Sequence, residues 1–218
     1  MQKTKNFLNE ITRFQTGYLT TLKTKDWKKL FFKPYSLTGS ELDGLQVDTT
    51  QNHYFGAFSR SQKLYKLGTA DICLQGQAGF IWADIDYISP ADAKDKIIAS
   101  GLPLPTWIIN TGEGVHIYYM LDAPADKSEL LRLSKALVLR LGADTNAVKP
   151  TQILRLPGCF NIKRGKKCEV AEYTGEHFQI LGLQDKLQGE LDRLPIQDTG
   201  KTLKAKNGLT GVEFYADK

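Results

Sequence analysis

The order of apolar and polar residues divides the chain into a series of short elements. Phe7, Leu8, Ile11, Phe14, Tyr18 and Leu22 recur at helical spacing and predict one packing helix over Thr4–Leu22. Trp27 to Tyr35 interleaves aromatics with lysines. It reads as a loop that either faces the core with solvated lysines or holds a nucleic-acid strand. A polar, glycine-punctuated loop follows over 36–52. His53–Arg60 predicts a strand ending in an arginine, and Gly68–Leu74 a weaker strand. Phe80–Tyr87 is an apolar run broken by two aspartates and predicts a buried central strand. Ser89 and Pro90 then start a helix to about Ser100, with Ala93, Ile97 and Ile98 inward and Gly101, Pro103 and Pro105 stopping it.

The second half continues with a hairpin. Thr106–Asn110 and Val115–Leu121 are strands joined through Thr111-Gly112-Glu113-Gly114, with His116 beside the turn. Asp126 and Glu129 have capping-box spacing ahead of a helix whose stripe is Leu130, Leu133, Leu137 and Leu141, and Gly142 ends it. Ile153–Arg164 sets cationic and amide side chains in an apolar frame around a Pro-Gly turn. Cys168–Tyr173 and His177–Leu181 read as closing strands. From Gln184 the pattern weakens into a linker or tail, and no internal repeat is visible.

Composition adds only broad bounds. The 218 residues suffice for one large domain or two small ones, with 41% hydrophobic residues to form a core. A net charge of +5 is compatible with a phosphate-rich partner. Cys73, Cys159 and Cys168 form no Cys-x-x-Cys pair, which argues against a structural zinc site. Their odd number, and a start unlike a signal peptide, lead to the expectation of a reducing, cytoplasmic location. The apolar runs are too short to span a membrane.

The candidate chemistry centres on Asp84 and Asp86. Side chains alternate across a strand, so both carboxylates share one face. Side by side they repel, and a divalent cation would relieve that repulsion; hard oxygen ligands suit Mg²⁺ or Mn²⁺. Asp144, just past a helix end, is a third acidic candidate. Three carboxylates can hold two metal ions, as in polymerases and nucleases. His116, Arg60, Arg155 and Lys163 would supply a positive surround for a triphosphate.

With these motifs the chain resembles the catalytic domain of the archaeo-eukaryotic primase superfamily, the primase-polymerases, and within it the plasmid and phage replication primases and the CRISPR-associated enzymes. The resemblance rests on Asp84-x-Asp86, on the glycine hairpin Thr111 to His116, on Leu141-Gly142-Ala143-Asp144, on Arg155-Leu156-Pro157-Gly158-x-x-Asn161-x-Lys163, and on the strand ending at Arg60. Thr111 stands where the family usually has serine. The likeness covers roughly 50–182.

The resemblance implies an α+β fold: an RRM-like catalytic sheet packed against a second small α/β module. The corresponding division is an N-terminal helical extension (1–50), a catalytic domain (51–183) and a tail (184–218). It implies a template-dependent nucleotidyltransferase using two Mg²⁺ or Mn²⁺ ions and a nucleoside triphosphate, dNTP or NTP. Asp84, Asp86 and Asp144 would hold metal; Arg60, Thr111, Gly112, His116, Arg155, Asn161 and Lys163 would bind nucleotide. The implied partners are single-stranded DNA template and primer, with a helicase or a CRISPR adaptation partner in a longer protein. The cationic run Arg164, Lys166, Lys167, and the Trp27-Lys28 segment, are candidates for the nucleic-acid backbone. A metal-dependent nuclease, a nucleotide cyclase and a non-catalytic single-strand binding module are the competing readings.

Overall fold

A computed structural model describes residues 2–195 and the strand Glu213–Ala216. The helices are α1 (Gln2–Thr12), α2 (Ala70–Leu74), α3 (Pro90–Ala99), α4 (Lys127–Arg140) and α5 (Ile180–Leu191). The strands are β1 (Tyr18–Thr24), β2 (Lys29–Ser36), β3 (Asn52–Gly56), β4 (Gln77–Asp86), β5 (Trp107–Asn110) and β6 (Gly114–Asp126). They continue as β7 (Ile153–Arg155), β8 (Phe160–Asn161), β9 (Lys166–Lys167), β10 (Glu169–Tyr173) and β11 (Glu213–Ala216).

Two sheets carry the architecture. The first runs β10-β5-β6-β4, with every pairing antiparallel. Here β4, α3, β5 and β6 form a split β-α-β unit, with β6 lying between β4 and β5. The second runs β11-β2-β1-β3-β7, antiparallel except for β11 on β2. The short pair β8-β9 stands apart. The fold is α+β, as the resemblance implies.

One apolar core joins the sheets, and α1 is its key. Phe7 sets its ring edge-on to Phe55 of the second sheet, at 5.6 Å between ring centres. It does the same to Trp107 and Tyr118 of the first sheet, at 5.6 and 5.0 Å. Glu10 fixes the helix further by accepting from Trp107 Nε1 at 2.8 Å and from the Tyr173 hydroxyl at 2.9 Å.

Several local expectations are overturned. The first helix stops at Thr12, and Tyr18–Thr24 is strand. Gly17 turns the chain with φ +86°, and a Cβ there would lie 2.2 Å from the Arg60 carbonyl oxygen, so the helical spacing through Tyr18 and Leu22 is coincidental. Thr20, Thr21 and Thr24 favour the strand. The Trp27–Tyr35 segment is largely strand: Leu30 and Phe32 are buried with Leu22 and Tyr54, while Lys29 and Lys33 face solvent. Pro34 is tolerated because it lies beyond Lys29–Phe32, the part of β2 that β11 pairs.

Gly68–Leu74 holds the short helix α2, not a strand. His177–Leu181 makes one bridge, Phe178 to Leu121, before α5 begins. That helix runs into the segment expected to be linker, because Leu183, Leu187 and Leu191 form a buried stripe. Residues 196–212 and 217–218 of the expected tail lie outside the described residues. Ile98 faces solvent at 58% exposure, although α3 is capped as expected: the Ser89 hydroxyl accepts from the Asp92 amide at 3.2 Å. Asp126 precedes α4 but its side chain makes no cap bond, and Glu129 instead accepts from Gln184 at 2.8 Å. Among the described residues no helix is long and apolar enough to cross a membrane.

Candidate active site

The central strand β4 changes character along its length. Phe80 and Trp82 are fully buried, whereas Asp84 and Asp86 lie where the strand leaves the core. Asp84 is partly exposed and Asp86 exposed. The register places Asp84 opposite His116 and Asp86 opposite Gly114. The hairpin closes tightly behind them. A Cβ on Gly114 would sit 2.1 Å from the Ile85 carbonyl oxygen, so only glycine lets β6 approach β4 at this level. The Thr111 hydroxyl accepts from the Gly114 amide and donates to its carbonyl, both at 3.1 Å, which fixes the turn.

His116 is 4% exposed. Its Nε2 lies 3.6 Å from Asp84 Oδ1, and its Nδ1 lies 3.4 Å from the Tyr118 hydroxyl. Partial burial, then the negative charges of Asp84, Glu113 and Asp144, raise the Asp86 carboxyl above its ordinary pKa, with His116 acting the other way.

These residues form one wall of a cleft of about 180 Å³, lined by Asp84, Asp86, Thr111, Glu113 and His116 from the first sheet and its hairpin. Tyr54, Ile153, Arg155 and Asn161 line the other side. Arg155 lies opposite Tyr54 in the β3–β7 pairing, with its guanidinium 4.8 Å from the Tyr54 ring centre. Its Nη1 donates to Asn52 Oδ1 at 2.6 Å. Asn161 is 1% exposed; its Nδ2 donates to the Thr111 carbonyl at 2.9 Å, and its buried Oδ1 has no partner. The Thr111 carbonyl can only accept, so the amide orientation is fixed and an acceptor is left over.

The sequence-chosen residues thus divide. Asp84, Asp86, Thr111, His116, Arg155 and Asn161 converge on one cleft. Asp144 is exposed and does not line it; its carboxylate accepts from the Asn146 amide at 2.8 Å, although its charge is felt at Asp86. The Gly112 amide is occupied by Asn110 Oδ1 at 2.9 Å. Lys163 is an exposed partner of Glu113 at 3.7 Å, and Arg164 also pairs with Glu113. Lys166 and Lys167 form the exposed strand β9.

Arg60 is elsewhere altogether. It is fully buried, donating from Nη1 to the Phe58 carbonyl at 2.9 Å and from Nε to the Leu67 carbonyl at 3.2 Å. Burial lowers its pKa. The strand expected to end at Arg60 stops at Gly56, and the Arg60 side chain turns inward over that glycine.

Glu113 and Tyr54 also line the cleft, although neither is among the site residues expected from the sequence. Glu113 had a signal: an acidic residue between the two glycines of the hairpin, matched by the cationic run Lys163–Lys167.

Solved structures share this architecture. The primase-polymerase (AEP) domain of cyanophage S-2L superposes with a TM-score of 0.66 over 86% of this chain and 98% of its own, at 19% identity. The fold is that of the archaeo-eukaryotic primase-polymerases. The catalytic domain of primase RepB′, solved in complex with initiator DNA, shares the primase-polymerase fold with a TM-score of 0.57 and 11% identity, over 88% of this chain and 95% of that domain. A replication protein of Clostridium perfringens is 24% identical over 207 residues, 87% of this chain. This chain spans about half of that relative's length (47%). No family model matches the chain.

Among the described residues no group of three His, Cys, Asp or Glu side chains is arranged to hold a metal ion by itself. Mg²⁺ commonly takes one or two carboxylates and completes its shell with water and substrate phosphates. Two carboxylates on one strand face, one with a raised pKa, fit that kind of site.

Proposed function

We propose that the cleft joins nucleotides to the 3′-hydroxyl of a DNA primer on a single-stranded template, releasing pyrophosphate, as a primase-polymerase. The observation that carries this reading is the placement of Asp84 and Asp86 across one cleft from Arg155 and Asn161. A carboxylate pair facing a planar cation and an unpartnered amide oxygen matches a nucleoside triphosphate bound with divalent metal.

Asp84 and Asp86 would hold Mg²⁺ or Mn²⁺, and Asp144 contributes charge from outside the cleft. Bound metal would lower the pKa of the attacking hydroxyl and stabilise the leaving phosphate. Arg155, kept in place by Asn52 and Tyr54, takes phosphate oxygens in its fork. A ring N–H of His116 donates to the triphosphate. The free Oδ1 of Asn161 accepts from a sugar hydroxyl. Thr111 positions Asn161 through its carbonyl. Arg164, Lys166 and Lys167 lie past the cleft and contact template phosphates.

The test is primer extension with dNTPs or NTPs and Mg²⁺ or Mn²⁺ on a primer–template. The parent should extend, and Asp84→Ala or Asp86→Ala should lower the rate by about 10²–10³, the typical cost of losing one preorganised electrostatic group. Strand cleavage in place of extension would make the protein a nuclease. Binding without either reaction would make it a binding module. Extension indifferent to both aspartates would place the site elsewhere.

A further inference from the structure

Among the described residues, two that are not glycine have a left-handed backbone: Trp27 at φ 63° and Tyr87 at φ 56°. Glycine fills ten further positive-φ positions, so the chain uses glycine freely where it needs this conformation. A bulky residue there is strained, and such strain gathers at functional sites. Neither ring recovers the cost by burial, since Trp27 is 49% and Tyr87 78% exposed.

Both residues flank the cleft, one beside each wall. Trp27 lies in the β1–β2 turn, its amide donating to Thr24 Oγ1 at 3.0 Å. Its ring centre is 5.3 Å from that of Tyr54, the cleft residue that also carries Arg155. Exposed Lys25 and Lys28 flank it. Tyr87 directly follows Asp86. Its amide donates to the Glu113 carbonyl at 3.0 Å, and its hydroxyl interacts with Arg164.

Exposed rings beside cations are what a single nucleic-acid strand requires: flat faces for bases and charge for phosphates. We propose that Trp27 and Tyr87 are base-stacking positions for a single DNA strand crossing the mouth of the cleft, with Lys25, Lys28 and Arg164 on its phosphates. This deepens the nucleotidyl-transfer reading and rests on it for the strand's purpose.

The chain supplies its own reporter. Trp82 and Trp107 are buried at 0% and 1% exposure, so quenching of tryptophan fluorescence reads Trp27. Oligothymidylate, added without metal or triphosphate, should quench it. By anisotropy of a labelled oligonucleotide, Trp27→Gly and Tyr87→Gly should each bind about ten-fold more weakly, the size of one lost stacking contact. Their melting temperatures should not fall, because glycine relieves the left-handed strain. Trp27→Phe should keep most of the affinity.

Parent-like binding by both glycine variants overturns the proposal. So does a drop in melting temperature accompanying weak binding, which would make the rings structural, or quenching by a nucleoside triphosphate alone equal to that by the strand. If the parent extends primers while the glycine variants bind normally, only this inference fails. If the parent binds with quenching but extends nothing, the transfer reading fails and the strand path stands.

Discussion

The acidic wall of the cleft is built within one sheet, whereas the opposite wall is assembled from segments far apart in the chain. Asp84, Asp86 and His116 sit on β4 and β6, whose ladder runs nearly the full length of both strands. Their positions follow from backbone register and need no side-chain brace. Arg155 sits on the three-residue β7 and depends on Asn52, 103 residues away in sequence, and on the Tyr54 ring. Asn161 sits on the two-residue β8 and depends on the Thr111 carbonyl. Pairing with many ladder bonds resists local change, while a wall held by single side-chain bonds shifts when one is lost. The acidic wall is therefore the fixed reference of the site, and the cationic wall the adjustable part.

The largest break in this contrast comes from the one steric weakness of the acidic wall. Gly114→Ala puts a methyl group 2.1 Å from the Ile85 carbonyl oxygen, against backbone that cannot yield without parting β4 from β6. It should cost on the order of 3 kcal/mol or more in denaturant unfolding and remove primer extension with it. A variant of parental stability would show that the ladder is looser at Asp86 than the close approach implies.

The cationic wall has a weakness of its own in acid. His53 on β3 is fully buried, and its Nδ1 accepts from the Asp48 amide at 3.1 Å, so the ring is held neutral. Burial first, then Lys23, lower its pKa from 6.5 to about 4, with Asp48 opposing. Between those values the unfolded chain binds a proton that the folded chain refuses. Stability is therefore intact above pH 6.5 and is lost as pH falls towards 4. The gap corresponds to about 3 kcal/mol at most. Hydrogen exchange near pH 5 should show β3 and β7 losing protection before β4 and β6. Equal loss in both sheets would contradict the difference drawn between the walls.

The smallest of these effects sharpens the comparison at a single side chain. Arg155→Ala should weaken nucleotide binding by about 1.5–3 kcal/mol, the range for hydrogen bonds to charged groups. Asn52→Ala should weaken it less, because Arg155 keeps its charge and its place on Tyr54 and loses only the brace. Nucleotide titration of both variants checks the order, and a larger loss for Asn52→Ala would mean that the brace, not the charge, sets the site.

Much of this arrangement is legible in the order of residues along the chain. The alternation in Phe80–Asp86 alone puts both carboxylates on one face, because a strand repeats every two residues. The Thr111–Gly114 turn brings His116 beside them, because glycines at those positions close a hairpin. The Ser89-Pro90 start of α3 follows from the nearest few residues. Each of these depends on interactions within one pleat, one turn or one cap, so neighbouring residues suffice to specify it.

The remaining features depend on long-range packing. Arg60 and Arg155 both follow apolar runs in the sequence, yet one is sealed in the interior and the other faces the cleft. Asp144 follows its helix as expected but turns to its own neighbour Asn146. Glu113 gathers Lys163 and Arg164 from fifty residues away in sequence. The helical period read over Thr4–Leu22 stops at Thr12, and Tyr18–Thr24 becomes a strand between the edges that β2 and β3 offer. In each case two or more arrangements satisfy the local pattern equally well. The choice between them falls to partners brought close only by folding, whose spacing along the chain no local period encodes.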